Sequence, residues 1–429
     1  MTSLPDPTSI RSPRRRGWPL VRDTLVVAVV AAVVFQALRR TVADRYIVPS
    51  DSMQPLLYGS REGGDVVLVD KLANVRDLRR YDTAVFRSPE DPRSQLVKRV
   101  VALGDDLQHC WLELRDGDLW LGGDEQHLER ELKDPIGDRD LRVPWFAWPS
   151  RNQDPVEQTM MLPAGRGPTG AIVVPSLDSL DEARKQLAKP SRGNRLRLNS
   201  WLGDRWLASL RAVDAGSIDA EGQRRRDGGS FAVDDVGIDC AVDLQGCRRV
   251  FCGLLQRPEL WAFHWEVDTG TVELWRNGET VALHTLPRGL DGARRLEFGF
   301  LDGRFFLCVD GRADALWCEV RRPEWLPVDK PMPDMLPKNQ LMLGAIGPAG
   351  LHVQRFTVFR DIYWYRERML GAKQVASAVH LDPGTAYLLG DNSFDSRDSR
   401  TIGPMALTAF IGRPRCVIGP WSRKRWLSR

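Results

Sequence analysis

The sequence predicts a mainly β protein set behind one amino-terminal transmembrane helix and interrupted by an inserted antiparallel β-sandwich. Three observations predict it. An uncharged apolar stretch, Thr24–Leu38, follows Arg11, Arg14, Arg15, Arg16 and Arg22. Short Val-rich runs alternate with Gly, Asp and Pro turns over residues 46–106. From Leu196 to about Tyr363, one strand-like run follows another with Gly/Asp turns between them. A length of 429 with 42% hydrophobic residues exceeds what one core organises, so several domains are expected. The net charge of +4, from 61 basic and 57 acidic residues, gives no ground for a nucleic acid partner. Seven cysteines lie scattered without a CxxC pair or a histidine at ligand spacing, so neither a metal nor another cofactor is expected.

In chain order, residues 1–22 are the basic segment and 23–43 the anchor. The fifteen residues Thr24–Leu38 rise about 22 Å as a helix, short of a bilayer core of roughly 30 Å, so the span borrows Leu20, Val21, Thr41 and Val42. A cleavable signal is the rival reading, but Gln36-Ala37-Leu38-Arg39-Arg40 offers no small-x-small site. The arginine excess places the amino terminus in the cytoplasm and the rest outside. Residues 44–130 read as the first part of a β domain, with a hairpin at Leu112–Leu121 around Asp116-Gly117. Residues 131–190, rich in Asp, Pro, Arg and Gly, read as linker and loops with one helix near Leu177–Leu187. The sandwich takes 191–363, and 364–429 returns to the first β domain, ending in a basic tail with Trp421 and Trp426.

Three separated stretches carry chemistry. Tyr46 to Pro55 places Ser52 just past the apolar segment. Gln95 to Leu103 sets Lys98 inside an apolar strand, where burial disfavours the ammonium and leaves an amine able to act as general base to a serine. An edge-strand or snorkelling lysine is the plainer reading of that residue alone. Leu388 to Gly403 is dense in hydroxyls, carboxylates and glycines and fits a fixed, internally hydrogen-bonded loop; its acidic spacing does not follow that of a calcium loop.

Together these stretches resemble the type I signal peptidase family: Pro49–Met53 with Pro55, Gly64–Lys71, Lys98–Asp106 and Gly390–Gly403 match its motifs in order. The resemblance implies that Ser52 is the nucleophile and Lys98 the general base of a serine endopeptidase. By the same resemblance Ser50 and the Ser52 N–H form the oxyanion hole. Ser396 orients Lys98, and Asp398, paired with Arg400, supports the loop. Val48, Met53, Leu57 and Val97 form the apolar wall of the substrate pocket. The implied substrates are exported preproteins, cut after small-x-small signal-peptide sites at the bacterial cytoplasmic (inner) membrane, with the lipid bilayer as second partner. Asp51 stands where many relatives have Gly, Gly104-Asp105 replaces Pro-Gly, and Ser393 replaces a frequent Arg.

Within the insertion, RRLEFGFLDGRFFLCVDGR and LGAIGPAGLHVQRFTVFRDIYW resemble concanavalin A-like or laminin G-like jelly rolls. That implies a glycan or protein ligand, or a spacer; Trp261, Trp265 and Trp275 are expected in the core rather than in a sugar platform. Two rival readings stay open: a self-cleaving Ser/Lys peptidase of the repressor type, and a catalytically inactive, membrane-tethered binding protein that uses the sandwich.

Overall fold

The computed structural model describes residues 23–32, 36, 42–60, 63–91, 93–115, 117–148, 160–162, 196–200, 235–256, 259–277, 279–288, 290, 292–311, 316–319, 339–346, 351–364, 366 and 378–427. The basic residues 1–22 and the helix expected at Leu177–Leu187 lie outside them. Residues 23–32 are helical, and their Leu25, Val26, Val27, Val29 and Val30 side chains stand 53–68% exposed. Among the described residues, no helix is long and apolar enough to cross a membrane.

The chain is otherwise strand and turn, and the strands nest. The first run supplies β1 (Ala43–Ile47), β2 (Val66–Asp70), β3 (Thr83–Arg87), β4 (Gln95–Leu103), β5 (Trp111–Arg115), β6 (Asp118–Gly122) and β7 (Glu129–Arg130). The insertion holds β8 (Arg142–Trp148), β9 (Met160–Leu162), β10 (Leu196–Ser200), β11 (Val236–Asp243), β12 (Arg249–Gln256), β13 (Glu259–Glu266), β14 (Thr271–Arg276), β15 (Glu279–Thr285), β16 (Ala293–Leu301), β17 (Arg304–Val309), β18 (Leu316–Glu319), β19 (Asn339–Ile346) and β20 (Leu351–Asp361). The return supplies β21 (Val379–His380), β22 (Thr385–Leu389), β23 (Met405–Ala406), β24 (Phe410–Gly419) and β25 (Arg425–Trp426).

The main sheet runs β1-β2-β24-β3-β4-β22-β23, so strands from before and after the insertion alternate in it and neither half can complete it alone. A second small sheet, β21-β5-β6-β7, joins the halves again. The hairpin expected around Asp116-Gly117 is β5–β6. Gly117 adopts φ +91°, and a Cβ there would lie 2.3 Å from the Tyr363 ring, so only glycine lets the returning chain close against the turn.

The insertion is a sandwich of two antiparallel sheets, β10-β19-β12-β13-β14-β15 and β18-β17-β16-β11-β20-β8 with β9 beside β20. Alternating apolar residues of both sheets meet in one core that includes Ile238, Cys240, Cys252, Phe263, Leu274, Phe298 and Phe305. Trp261 and Trp265 lie in that core, as expected; Trp275 instead stacks on His264 with ring centroids 3.8 Å apart. One boundary differs from expectation: the sandwich does not wait for residue 191, because β8 pairs with β20 as an edge strand. An edge is where Pro144, which cannot donate to the ladder, is tolerated.

The joint between the units is both apolar and ionic. Leu141, Val143, Ile362 and Trp364 from the roots of the insertion share a cluster with Val101 and Ala102 of β4 and Leu112, Leu114, Leu119 and Leu121 of the hairpin. Beside it, Lys133 Nζ lies 2.7 Å from Asp302 and 2.8 Å from Asp361, while Arg130 meets Asp118 at 2.6 Å and Asp235 at 3.0 Å. Oxygens of the four aspartates gather within 4.8 Å of one another. Burial pushes the Asp118 carboxyl up to about 7, the cations of Arg130 and Lys133 opposing it. The Lys133 ammonium, 2.7 Å from one carboxylate and 2.8 Å from another, serves this group as its internal cation. Lys133→Met should therefore lower unfolding stability by about 3–5 kcal/mol in denaturant titrations; a change below about 0.5 kcal/mol would show that the network does not hold the joint.

Candidate active site

Ser52 sits on a one-turn 3-10 helix, Asp51–Met53, entered from extended Ser50 and closed by a Gln54 N–H to Asp51 C=O bond of 3.0 Å. The turn is pinned from beneath, since Met53 and Leu57 are fully buried with Val48, Val67, Val69, Val85 and Val417. Gly59 permits this seating: a Cβ there would stand 1.8 Å from the Ser50 carbonyl oxygen. Val48, Met53 and Leu57 are thus buried in this core, and of the four residues expected to wall the pocket Val97 keeps partial exposure.

Lys98 and Arg99 are neighbours in β4, so they leave the strand on opposite faces. Opposite Lys98 on β3 is Ala84, whose small side chain leaves room for the amine. Lys98 is 3% exposed and its Nζ lies 2.6 Å from Ser52 Oγ. Burial, only partly opposed by Asp398, brings the amine down from 10.5 to about 8. Ser50 Oγ lies 3.3 Å from Ser52 Oγ on the exposed side.

The third stretch closes the site. After β22, Asn392 N–H donates to the Ser52 carbonyl at 3.1 Å and its amide nitrogen to the Asp51 carbonyl at 3.2 Å. Asp398 receives Arg400 in a two-point ion pair of 2.9 and 2.7 Å and accepts the Gly390 N–H at 2.9 Å. Burial works against the charged Asp398, but Arg400 more than offsets it and holds the carboxyl below its usual range. Arg400 also reaches Ser393 Oγ at 2.6 Å, so the Ser that replaces a frequent Arg is absorbed into the loop. The Ser396 hydroxyl is buried beside Asp398, which it helps to keep ionised. A Cβ on Gly390 would meet Ser396 Oγ at 2.2 Å, so this hydroxyl is packed tightly against the turn next to Ser52. Asp51, beside Ser52, accepts a hydrogen bond from the Gln54 side chain.

Reading the sequence missed Arg99. It is wholly buried, meets Asp391 through two nitrogens at 2.7 and 2.6 Å, and donates to the Tyr81 carbonyl at 2.7 Å and to Asp140 at 3.0 Å. A basic residue adjoining Lys98 in an apolar strand was the available signal, because a buried guanidinium demands such partners. The arrangement as a whole can deliver a serine alkoxide equivalent: a hydroxyl, a dry amine to take its proton, and a donor beside it.

Asp398→Asn would leave the buried Arg400 uncompensated and should cost about 3–5 kcal/mol of stability. Because Asp398 titrates below 3.8, the deficit relative to the parent protein should hold from pH 8 to 5 and shrink only below about 3.8; a deficit that vanished near pH 6 would contradict this ion pair.

Known proteins share similarity with part of this chain. Residues 21–164 match the family described as signal peptidase, peptidase S26, a range that includes Ser52 and Lys98. The chain is 37% identical over 79 residues to signal peptidase I of Aquifex aeolicus, covering 18% of this chain and 28% of that one. It is 30% identical over 132 residues to signal peptidase I of Mycobacterium tuberculosis, covering 23% and 44%. Thus it spans less than half the length of these two relatives. Structural likenesses are loose: a Caenorhabditis elegans galectin at TM-score 0.22 and 16% identity, over 29% of this chain and 83% of that one, and a Bacillus subtilis carbohydrate binding module at 0.21 and 14%, over 29% and 74%. The chain thus carries, over residues 21–164, a segment that matches the signal peptidase, peptidase S26 family.

Proposed function

We propose that the chain is a membrane-anchored signal peptidase I, a serine endopeptidase that removes signal peptides from exported preproteins with a Ser52–Lys98 dyad. Similarity to signal peptidases supports the function at family level. The observation that carries the finer reading is the 2.6 Å separation of Lys98 Nζ and Ser52 Oγ in a buried setting. With the amine neutral, the hydroxyl donates to it; as Ser52 Oγ attacks the scissile carbonyl, Lys98 takes the proton and later gives it to the leaving amine. The Ser50 hydroxyl and Ser52 N–H receive the oxyanion, a contribution typically of a few kcal/mol per donor. Water then hydrolyses the acyl-enzyme, with the same amine as base. A substrate strand adds beside the site, where Val97 offers apolar contact to small side chains.

Attachment to the bacterial cytoplasmic membrane is part of the proposal, with residues 23–43 as anchor and the amino terminus inside. The exposed apolar side chains of residues 25–30, and Trp421 and Trp426 at 83% and 81% exposure, support a lipid partner. The sandwich is proposed as a jelly roll and is assigned no ligand.

On a preprotein with an Ala-x-Ala site, Ser52→Ala and Lys98→Ala should each lose about 10⁴-fold or more of the activity; cleavage by either at the parent rate would refute the dyad. The rate should also fall tenfold per pH unit below about 8, as the amine takes up its proton; a rate flat from pH 9 to 6 would refute the neutral base. Trp421→Ala/Trp426→Ala should weaken association with anionic vesicles, and unchanged partitioning would remove these residues from the lipid contact.

A further inference from the structure

The segment between β7 and β8 touches both the dyad's strand and the sandwich. Its short 3-10 turn, Arg139–Leu141, ends where β8 begins. Leu141 and Val143 are buried against Val101 and Ala102 of β4, the strand that carries Lys98. Asp140 reaches Arg99, the residue after Lys98, at 3.0 Å, and shares that guanidinium with Asp391 of the loop that docks on Ser52. Asp140 is flanked by side chains that hold the sandwich: Arg139 meets Glu297 of β16 at 2.7 and 2.5 Å, and Arg142 meets it at 2.8 Å. Glu297 is wholly buried; burial opposes its charge, but Arg139, Arg142 and Arg295 keep it ionised. One short backbone segment thus joins two sets of ion pairs, Arg139 and Arg142 to Glu297 in the sandwich and Asp140 to Arg99 beside Lys98.

We propose that Asp140 is a positioning residue for the Ser52–Lys98 pair, acting through Arg99, and that the root of the insertion thereby makes the seating of the sandwich part of the catalytic geometry. This rests on the reading of Ser52 and Lys98 as the dyad. Arg99 has two carboxylate partners on different segments: Asp391 follows β22, in the catalytic sheet, and Asp140 precedes β8, in the sandwich sheet. With Asp140 in place, the guanidinium is held from both sides and the backbone of β4 at Lys98 is fixed. Release of Asp140 leaves Arg99 to Asp391 alone, and displacements of the order of 1 Å at a dyad are costly. Anything that shifts the sandwich on its root, a bound ligand included, acts on the same contact.

The test uses the full-length chain in detergent micelles and steady-state cleavage of a preprotein. Asp140→Asn should lower kcat roughly 10- to 100-fold with KM unchanged, and Asp140→Glu should recover most of the loss. Arg139→Gln, which cuts the tie to Glu297 at a partly exposed side chain, should lower kcat roughly 3- to 30-fold. The double variant Asp140→Asn/Arg139→Gln should be no slower than Asp140→Asn alone, since both act on one contact. Wild-type kcat in Asp140→Asn, or losses that multiply in the double variant, would overturn the proposal. If Asp140→Asn does not fold, Arg139→Gln decides alone: reduced kcat supports it and unchanged kcat overturns it. Parent activity abolished by Ser52→Ala but untouched by Asp140→Asn would defeat only this inference, whereas a parent chain without Ser52-dependent cleavage would defeat the dyad reading itself.

Discussion

The side chains around Ser52 and Lys98 are arranged about one desolvated amine. An ammonium in water has no reason to give up its proton at neutral pH. At an ordinary 10.5 about one lysine in three thousand is neutral at pH 7, whereas at about 8 roughly one in ten is. Burial in β4 makes the difference, and the surrounding charges are set so as not to undo it. Asp398, Asp391 and Asp395 favour the ammonium, but Arg400 opposes it, and Asp398 and Asp391 are each committed to a guanidinium. The two buried ion pairs thus have a double role: they fix the third stretch against the Ser52 turn, and their guanidinium partners offset the pull of its carboxylates toward a charged Lys98.

The same economy explains how an insertion of domain size is tolerated. Strands β4 and β22 are adjacent in the sheet, with Leu389 opposite Arg99, although the whole sandwich lies between them in sequence. The insertion must therefore leave and return at nearly one place. Gly117 and Trp364 form a bridge there, β21 pairs with β5, and the roots of the sandwich sit in the core shared with β4 and the hairpin. Such closure of a long loop costs entropy that only slowly grows with its length. Buried contacts at the joint then offset it.

Much of this was legible in the sequence, and the pattern of what was not is physical. Ser52, Lys98 and the stretch Gly390–Gly403 could be found because each is a compact local motif. The strands at Val236–Asp243, Thr271–Arg276, Ala293–Leu301 and Leu351–Asp361 could be found because apolar alternation is written in consecutive residues. Strand β8 was missed because an edge strand with Pro144 among Arg and Trp residues looks like loop until its partner β20 is known. Arg99 with Asp140, and Lys133 with Asp302 and Asp361, were missed for a related reason: an ion pair between residues far apart leaves no local period. Val48, Met53 and Leu57 are apolar residues whose burial beneath the Ser52 turn depends on Val67, Val69, Val85 and Val417 from distant strands, which no local pattern announces.

The neutral amine can be observed without any turnover. In the full-length chain with ¹⁵N-labelled lysine, the Lys98 side-chain signal, assigned by its loss in Lys98→Met, should titrate with a midpoint of about 8. A midpoint near 10.5 would mean that the amine stands in water-like surroundings, and the account of this site would be wrong.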